Sequence, residues 1–108
     1  MIIDQIPSIS VADLAAAMAK DDIFLLDVRE QTEWDKARIE KARHIPMGQV
    51  SEHLEELPQD KQIVVICHHG GRSAHVAYAL NQCGFRALTV DGGIHQFALQ
   101  IDNTIPLY

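Results

Sequence analysis

The chain has 108 residues, 47% of them apolar, and a formal net charge of -6 at pH 7. That length fits one domain with a core of useful size, and the composition is that of a globular protein rather than a disordered or fibrous one. The negative balance argues against nucleic acid as the main partner, and no apolar run approaches the roughly 20 residues of a membrane helix.

The opening "MIIDQIPSIS" has neither a basic flank nor a sustained apolar stretch, so no secretory signal is read and a cytoplasmic setting is the expectation. "SVADLAAAMAKDD" predicts a helix with Ser10 as its N-cap, ending near Lys20. "IFLLDV" is a short continuous apolar run and predicts a strand buried on both faces. "EQTEWDKAR" suggests a brief helix, "HIPMG" a second short strand, and "VSEHLEEL" an amphipathic helix stopped by Pro58. "QIVVIC" is the clearest buried strand. "SAHVAYALNQC" predicts a helix with Ser73 as N-cap, Val76, Leu80 and Cys83 on one core stripe, and Gly84 at the C′ position. "ALTV" is a further strand, "DGG" a tight turn and "IHQFALQI" a last helix. Strands alternating with helices predict an α/β fold, a mostly parallel sheet covered on both faces.

Cysteine usage is sparse. Cys67 and Cys83 are the only two, and the helix between them separates them by roughly 16 Å at about 1.5 Å per residue. A disulfide needs Cα atoms within about 7 Å, so both are expected as free thiols in a reducing compartment.

Charge is unevenly placed. All 15 acidic residues lie outside residues 61–90, a window that holds Lys61, Arg72, Arg86, His68, His69 and His75. Buried strand and helix would produce such a gap; so would a local site for an anion or a thiolate.

The loop "CHHGGRS" leaves the central strand and enters a helix. In open α/β sheets ligands bind beyond the carboxyl ends of strands, where connections enter helices. A helix start offers unpaired N–H groups and the positive end of its dipole. Gly70 and Gly71 permit dihedrals that let successive amides converge on an anion, and Arg72 adds a permanent cation. Each feature favours thiolate over thiol, and a free cysteine with a pKa of roughly 8.5 is lowered by such surroundings. Cys67 is therefore the expected nucleophile. His68 and His69 fit a general acid, substrate donors, metal ligands or exposed loop residues. Adjacent ligands are awkward for one zinc ion and the Cys-x-x-Cys spacing is missing, so no metal is expected. His44, His53, His75 and His95 read as solvated or locally bonded, and Cys83 as a core residue.

At this point the chain resembles the single-domain rhodanese, or thiosulfate sulfurtransferase, family. "CHHGGRS" is similar to that family's Cys-x-x-Gly-x-Arg-Ser pattern, matching at Cys67, Gly70, Arg72 and Ser73. "LLDVREQTEW" resembles its Asp-x-Arg segment followed by an acidic-aromatic pair, here Asp27, Arg29, Glu33 and Trp34. "HIPMG" resembles the second strand, and "VDGGIHQF" the Gly-Gly-Ile turn, here Gly92, Gly93 and Ile94. Two positions depart: Ala37, Arg38 and Ile39 stand where the family often has Gly-His-Ile, and Phe97 where it often has tryptophan.

The resemblance implies one rhodanese domain over residues 1–108 and sulfur transfer in two half-reactions. A Cys67 thiolate would take the outer sulfur of thiosulfate or a related donor, release sulfite and carry a persulfide to cyanide or a thiol. His68, His69, Gly70, Gly71 and Arg72 would bind the donor, while Asp27, Arg29 and Glu33 would be mainly structural. The implied partners are a small sulfur-containing anion and a thiophilic acceptor, with a protein acceptor also open; no cofactor, nucleic acid or membrane is implied. Two other readings stand beside it. One is a non-catalytic module for protein binding or sulfur-state sensing. The other is a cysteine phosphatase or arsenate reductase, whose Cys, five residues, Arg spacing exceeds the four residues between Cys67 and Arg72.

Overall fold

The computed structural model describes residues 6–108. Strand β1 (Ser8–Ile9) leads into helix α1 (Val11–Ala19), which Ser10 caps by accepting the Asp13 N–H at 3.1 Å. Strand β2 (Ile23–Asp27), helix α2 (Gln31–Lys36) and strand β3 (Arg43–His44) follow. Two 3-10 segments (Met47–Glu52 and Leu54–Glu56) then lead to strand β4 (Gln62–Ile66). The chain continues through helix α3 (Gly71–Gln82) and strand β5 (Ala87–Val90) to helix α4 (Gly93–Gln100). The five strands form one sheet in the order β1-β5-β4-β2-β3, and every pairing is parallel. The α/β architecture expected from the alternation of elements is the one observed.

Strand β4 lies at the centre, and Ile63, Val64, Val65 and Ile66 are all fully buried. Successive side chains of a strand point to opposite faces. Ile63, Val65 and Cys67 accordingly pack with Val76, Ala77 and Leu80 of α3, while Val64 and Ile66 pack with Leu14 of α1 and Ile94 and Phe97 of α4. Burial on both faces explains why β4 is continuously apolar instead of alternating. It also places Cys67 on the α3 side at the carboxyl end of the central strand.

Four expectations are corrected. "VSEHLEEL" is not an α-helix but part of the two 3-10 segments, broken at His53 (φ -123°, ψ 19°). A 3-10 segment rises about 2.0 Å per residue against 1.5 Å for an α-helix, so the connection reaches further across the sheet face while still burying Val50 and Leu57. The "HIPMG" strand begins earlier, since pairing is confined to Arg43 and His44. Ile45 and Met47 add single N–H bonds to the Asp27 and Val28 carbonyls. Ser73 is not the N-cap of α3: the cap falls three residues sooner, at Gly70, and the helix begins at Gly71.

Finally, Cys83 is exposed, not in the core. The α3 helix ends there in a Schellman turn, with Gly84 at φ 92° donating to Asn81 O and Phe85 donating to Leu80 O. Phe85, 7% exposed, takes the core position that the helical stripe would have given Cys83.

Candidate active site

The loop from Cys67 to Gly70 turns sharply because Gly70 adopts φ 126°, a region open to glycine and strained for other residues. That turn folds the start of α3 back over the cysteine. The Gly70 N–H donates to Cys67 Sγ at 3.1 Å and the Ser73 N–H donates to it at 3.3 Å. The Sγ in turn donates to Ser73 Oγ at 3.4 Å. Backbone donors fixed on one sulfur stabilise negative charge there without having to reorganise as it develops. The Cys67 residue is only 1% exposed, so its sulfur lies beneath the loop and not at its tip.

Ser73 is held by more than its backbone. Its hydroxyl donates to Gly70 O at 3.1 Å and shares a 2.6 Å hydrogen bond with Thr89 Oγ1. Thr89 is 8% exposed on the same face as Ala87, so β5 supplies a hydroxyl from an otherwise apolar surface. Once the sulfur carries a negative charge, the Ser73 hydroxyl stands within reach as a third donor. The sequence had offered Ser73 as a cap and as a match to the resembled loop pattern, and Thr89 not at all; a lone threonine inside "ALTV" was the available signal.

Arg72 reaches Glu33 on α2. Its Nη1 donates to Glu33 Oε1 at 2.6 Å and its Nη2 to Glu33 Oε2 at 2.9 Å. The Glu33 carboxylate also accepts the Glu30 N–H at 3.0 Å and the Tyr108 hydroxyl at 2.9 Å. The Arg72 guanidinium holds the Glu33 carboxyl down to about 2, against the opposing effect of burial. Glu33 in turn raises the pKa of Arg72 against partial burial, with a smaller contribution from the Cys67 sulfur. A guanidinium carries five N–H groups, so donors remain for an anion.

Beneath this pair lies Arg29, fully buried. Its Nε donates to Asp27 Oδ1 at 3.0 Å, and Nη2 to Asp27 Oδ2 at 2.8 Å and to Ala37 O at 2.6 Å. Nη1 reaches the Tyr108 hydroxyl at 2.8 Å and Glu33 O at 3.3 Å. Burial works against the charge, but the bonds to Asp27 and Tyr108 outweigh it and raise the Arg29 pKa. Asp27, Arg29, Tyr108, Glu33 and Arg72 thus form one chain of bonds from the sheet to the loop.

The histidines divide. His44 Nε2 bonds to Arg29 O at 2.7 Å and its ring stacks on Trp34, and His53 bonds to Glu56; both are locally bonded, as expected. His68 stacks on Tyr108 with centroids 4.0 Å apart and planes 9° from parallel, and its other neighbour is His69, also at 4.0 Å. Burial, with repulsion from His69, lowers the His68 pKa. His95 lies 5.0 Å from His69 and 6.0 Å from His68, ring to ring, so α4 brings a third imidazole to the loop.

Close approach of α4 depends on Gly93. A Cβ there would lie 2.3 Å from His68 O and 2.6 Å from Cys67 O. Without one, the Ile94 N–H donates to Cys67 O at 2.9 Å and the His95 N–H to His68 O at 3.1 Å. The Gly-Gly turn read from sequence therefore clamps the loop from behind.

Comparison with known proteins gives a consistent picture. The family model described as "Rhodanese-like domain" matches residues 10–100. The chain is 40% identical over 91 residues to "Putative sulfurtransferase YtwF" of Bacillus subtilis (strain 168), covering 83% of this chain and 88% of that one. It is 36% identical over 67 residues to "Thiosulfate sulfurtransferase GlpE" of Coxiella burnetii, covering 62% of this chain and 63% of that one. A crystal structure of a rhodanese-related protein from Thermoplasma volcanium superposes with a TM-score of 0.83 at 33% identity, covering 94% of this chain and 99% of that one.

Proposed function

The chain belongs to the rhodanese-like family, and from that premise we propose that it is a sulfurtransferase working through a persulfide on Cys67. The observation that carries this is the pair of backbone N–H donors, from Gly70 and Ser73, on the Cys67 sulfur. The Cys67 thiolate attacks the outer sulfur of thiosulfate or a related sulfane donor. A bond forms between Sγ and that sulfur, the donor's own S–S bond breaks, and sulfite leaves with the bonding electrons. Cyanide or a thiol then attacks the terminal sulfur, the Cys67–sulfur bond breaks, and the thiolate is regenerated. Covalent transfer in two halves gives ping-pong kinetics.

In this scheme the loop amides, including Gly70, hold the anionic sulfur. His68, His69, Gly71 and the free N–H groups of Arg72 receive the oxygen-bearing end of the donor. Tyr108 and Glu33 support the reaction indirectly, by fixing the His68 ring and the Arg72 guanidinium. The thiosulfate preference is supported by the name of the Coxiella burnetii relative, and the final acceptor is a small thiophile or a protein thiol. We also assign a reducing, cytoplasmic setting, which two free cysteines support. No helix among the described residues is long and apolar enough to cross a membrane.

Initial rates with thiosulfate, a thiosulfonate, a persulfide and 3-mercaptopyruvate, each against cyanide and a thiol, test the scheme. Parallel double-reciprocal lines with the preferred donor, and loss of turnover in Cys67→Ala, are expected. Turnover that survives Cys67→Ala would refute it.

A further inference from the structure

We propose that His68, His69 and His95 form a binding site for one divalent transition cation of the zinc class, at the junction of the Cys67 loop and helix α4. One ring nitrogen from each converges, and the three lie within 4.8 Å of one another. Two buried ring nitrogens, His68 Nε2 and His95 Nδ1, have no hydrogen-bond partner among the described residues. Native proteins rarely leave such atoms unsatisfied, because a buried polar atom without a partner has lost its water and gained nothing in exchange. A cation shared by these rings would satisfy both.

The adjacency of His68 and His69 in sequence argued against a common ion, but the fold removes that objection. Their rings lie 4.0 Å apart, and a ring nitrogen of each falls within 4.8 Å of the other and of one from His95. The third ligand is brought by tertiary structure. The backbone of His95 is tied to that of His68 by its own N–H, and the missing Cβ of Gly93 allows the contact. Tyr108 stacked on His68 holds that ring in place. The ligating nitrogens on one tetrahedral zinc ion sit about 3.3 Å apart, given bonds of about 2.05 Å. The present separations close to that value by side-chain rotation, for which exposed His69 is free.

The donor set selects the ion. Three imidazoles and no carboxylate suit zinc, cobalt, nickel or copper, whereas magnesium and calcium require oxygen ligands. Three protein ligands on a tetrahedral ion leave a fourth position open to water or an anion. The site shares His68 and His69 with the donor-binding role proposed above, but it uses no sulfur ligand and its test reads metal binding alone, so it can fail or stand apart from the sulfur-transfer scheme.

Chelator-treated protein carrying Cys83→Ser, which removes the exposed thiol as a rival ligand, is titrated with zinc by calorimetry and with cobalt by visible absorption. The expected result is one ion per chain, cobalt bands of a four-coordinate nitrogen site, and no thiolate-to-cobalt charge-transfer band. Loss even of an outer-shell partner weakens metal sites by about 10–100-fold, so His69→Ala and His95→Ala should each weaken binding at least about tenfold. His95→Gln, which retains a polar side chain, repeats the test should His95→Ala disturb folding, with circular dichroism as the control. Absence of saturable binding, affinity unchanged in the His69 and His95 variants, or a thiolate band would each overturn the assignment.

Discussion

Arg72 and Glu33 meet end to end, two nitrogens on two oxygens at 2.6 and 2.9 Å, although 39 residues separate them in the chain. This bidentate pair bolts the first turn of α3, which carries an amide donor to the Cys67 sulfur, onto helix α2. The arginine that looks like a free cation in the sequence is therefore also a structural tie. Under the proposed scheme, a substrate anion would meet only the N–H groups that Glu33 leaves unused.

Stability should follow the Glu33 charge. Its carboxyl is depressed from 4.5 to about 2, so the pair contributes fully above about pH 4.5 and its contribution is lost as pH falls toward 2. The two side chains are 32% and 17% exposed, and screening at that edge reduces the gain. Glu33→Gln should cost on the order of 1–3 kcal/mol at neutral pH. Denaturant unfolding of both proteins at pH 7 and pH 3 checks this: the gap between them should narrow at the lower pH. A gap that widens there would contradict the pairing.

Arg29 should be far less replaceable. Arg29→Met strands the buried Asp27 carboxylate and should cost about 3–5 kcal/mol. Asp27→Asn/Arg29→Met together should cost less than the sum of the single changes, because the second replacement removes the charge that the first leaves unpaired. A double-mutant cycle by denaturant unfolding measures the difference.

The two glycine pairs contain opposite cases. Gly93 has φ 61° and no room for a Cβ, so Gly93→Ala should push α4 off the loop, lower stability by about 2 kcal/mol or more and slow sulfur transfer. Gly71 has ordinary dihedrals and nothing within 4 Å of its missing Cβ. Gly71→Ala should leave stability unchanged or raise it by roughly 0.4–1 kcal/mol. Melting curves of the two variants should shift in opposite directions or differ plainly in size.

Alkylation should separate the two thiols. Exposed Cys83 should react readily with iodoacetamide whether or not thiosulfate is present, and Cys83→Ser should change stability by no more than about 0.5 kcal/mol. Cys67, buried under its loop, should react more slowly, and prior incubation with thiosulfate should protect it. Peptide mapping by mass spectrometry reads both sites in one sample.

Much of this was legible from local pattern. β4 and β2 were plain as runs of β-branched and aliphatic residues, and the loop's place between the central strand and a helix was plain from a cysteine and glycines ahead of the helical stretch. What escaped depends on contacts that no local window contains. β1 has two residues and exists only because β5 pairs with it. The 3-10 segments share the apolar spacing of an α-helix, so periodicity alone cannot tell them apart. Tyr108 reaches Arg29 and Glu33 across 79 and 75 positions, and His95 meets His68 only through the Gly93 contact. Cys83 lay on the right stripe of a helix that ended one residue too soon to bury it.

The decisive measurement is the intact mass of the protein after thiosulfate treatment and removal of excess donor. The Cys67 sulfur held by the Gly70 and Ser73 amides should gain one sulfur atom, located on Cys67 by peptide mapping, absent in Cys67→Ala and discharged by cyanide. A protein that gains no sulfur from thiosulfate or any other sulfane donor, or gains it only on Cys83, would contradict transfer through this loop.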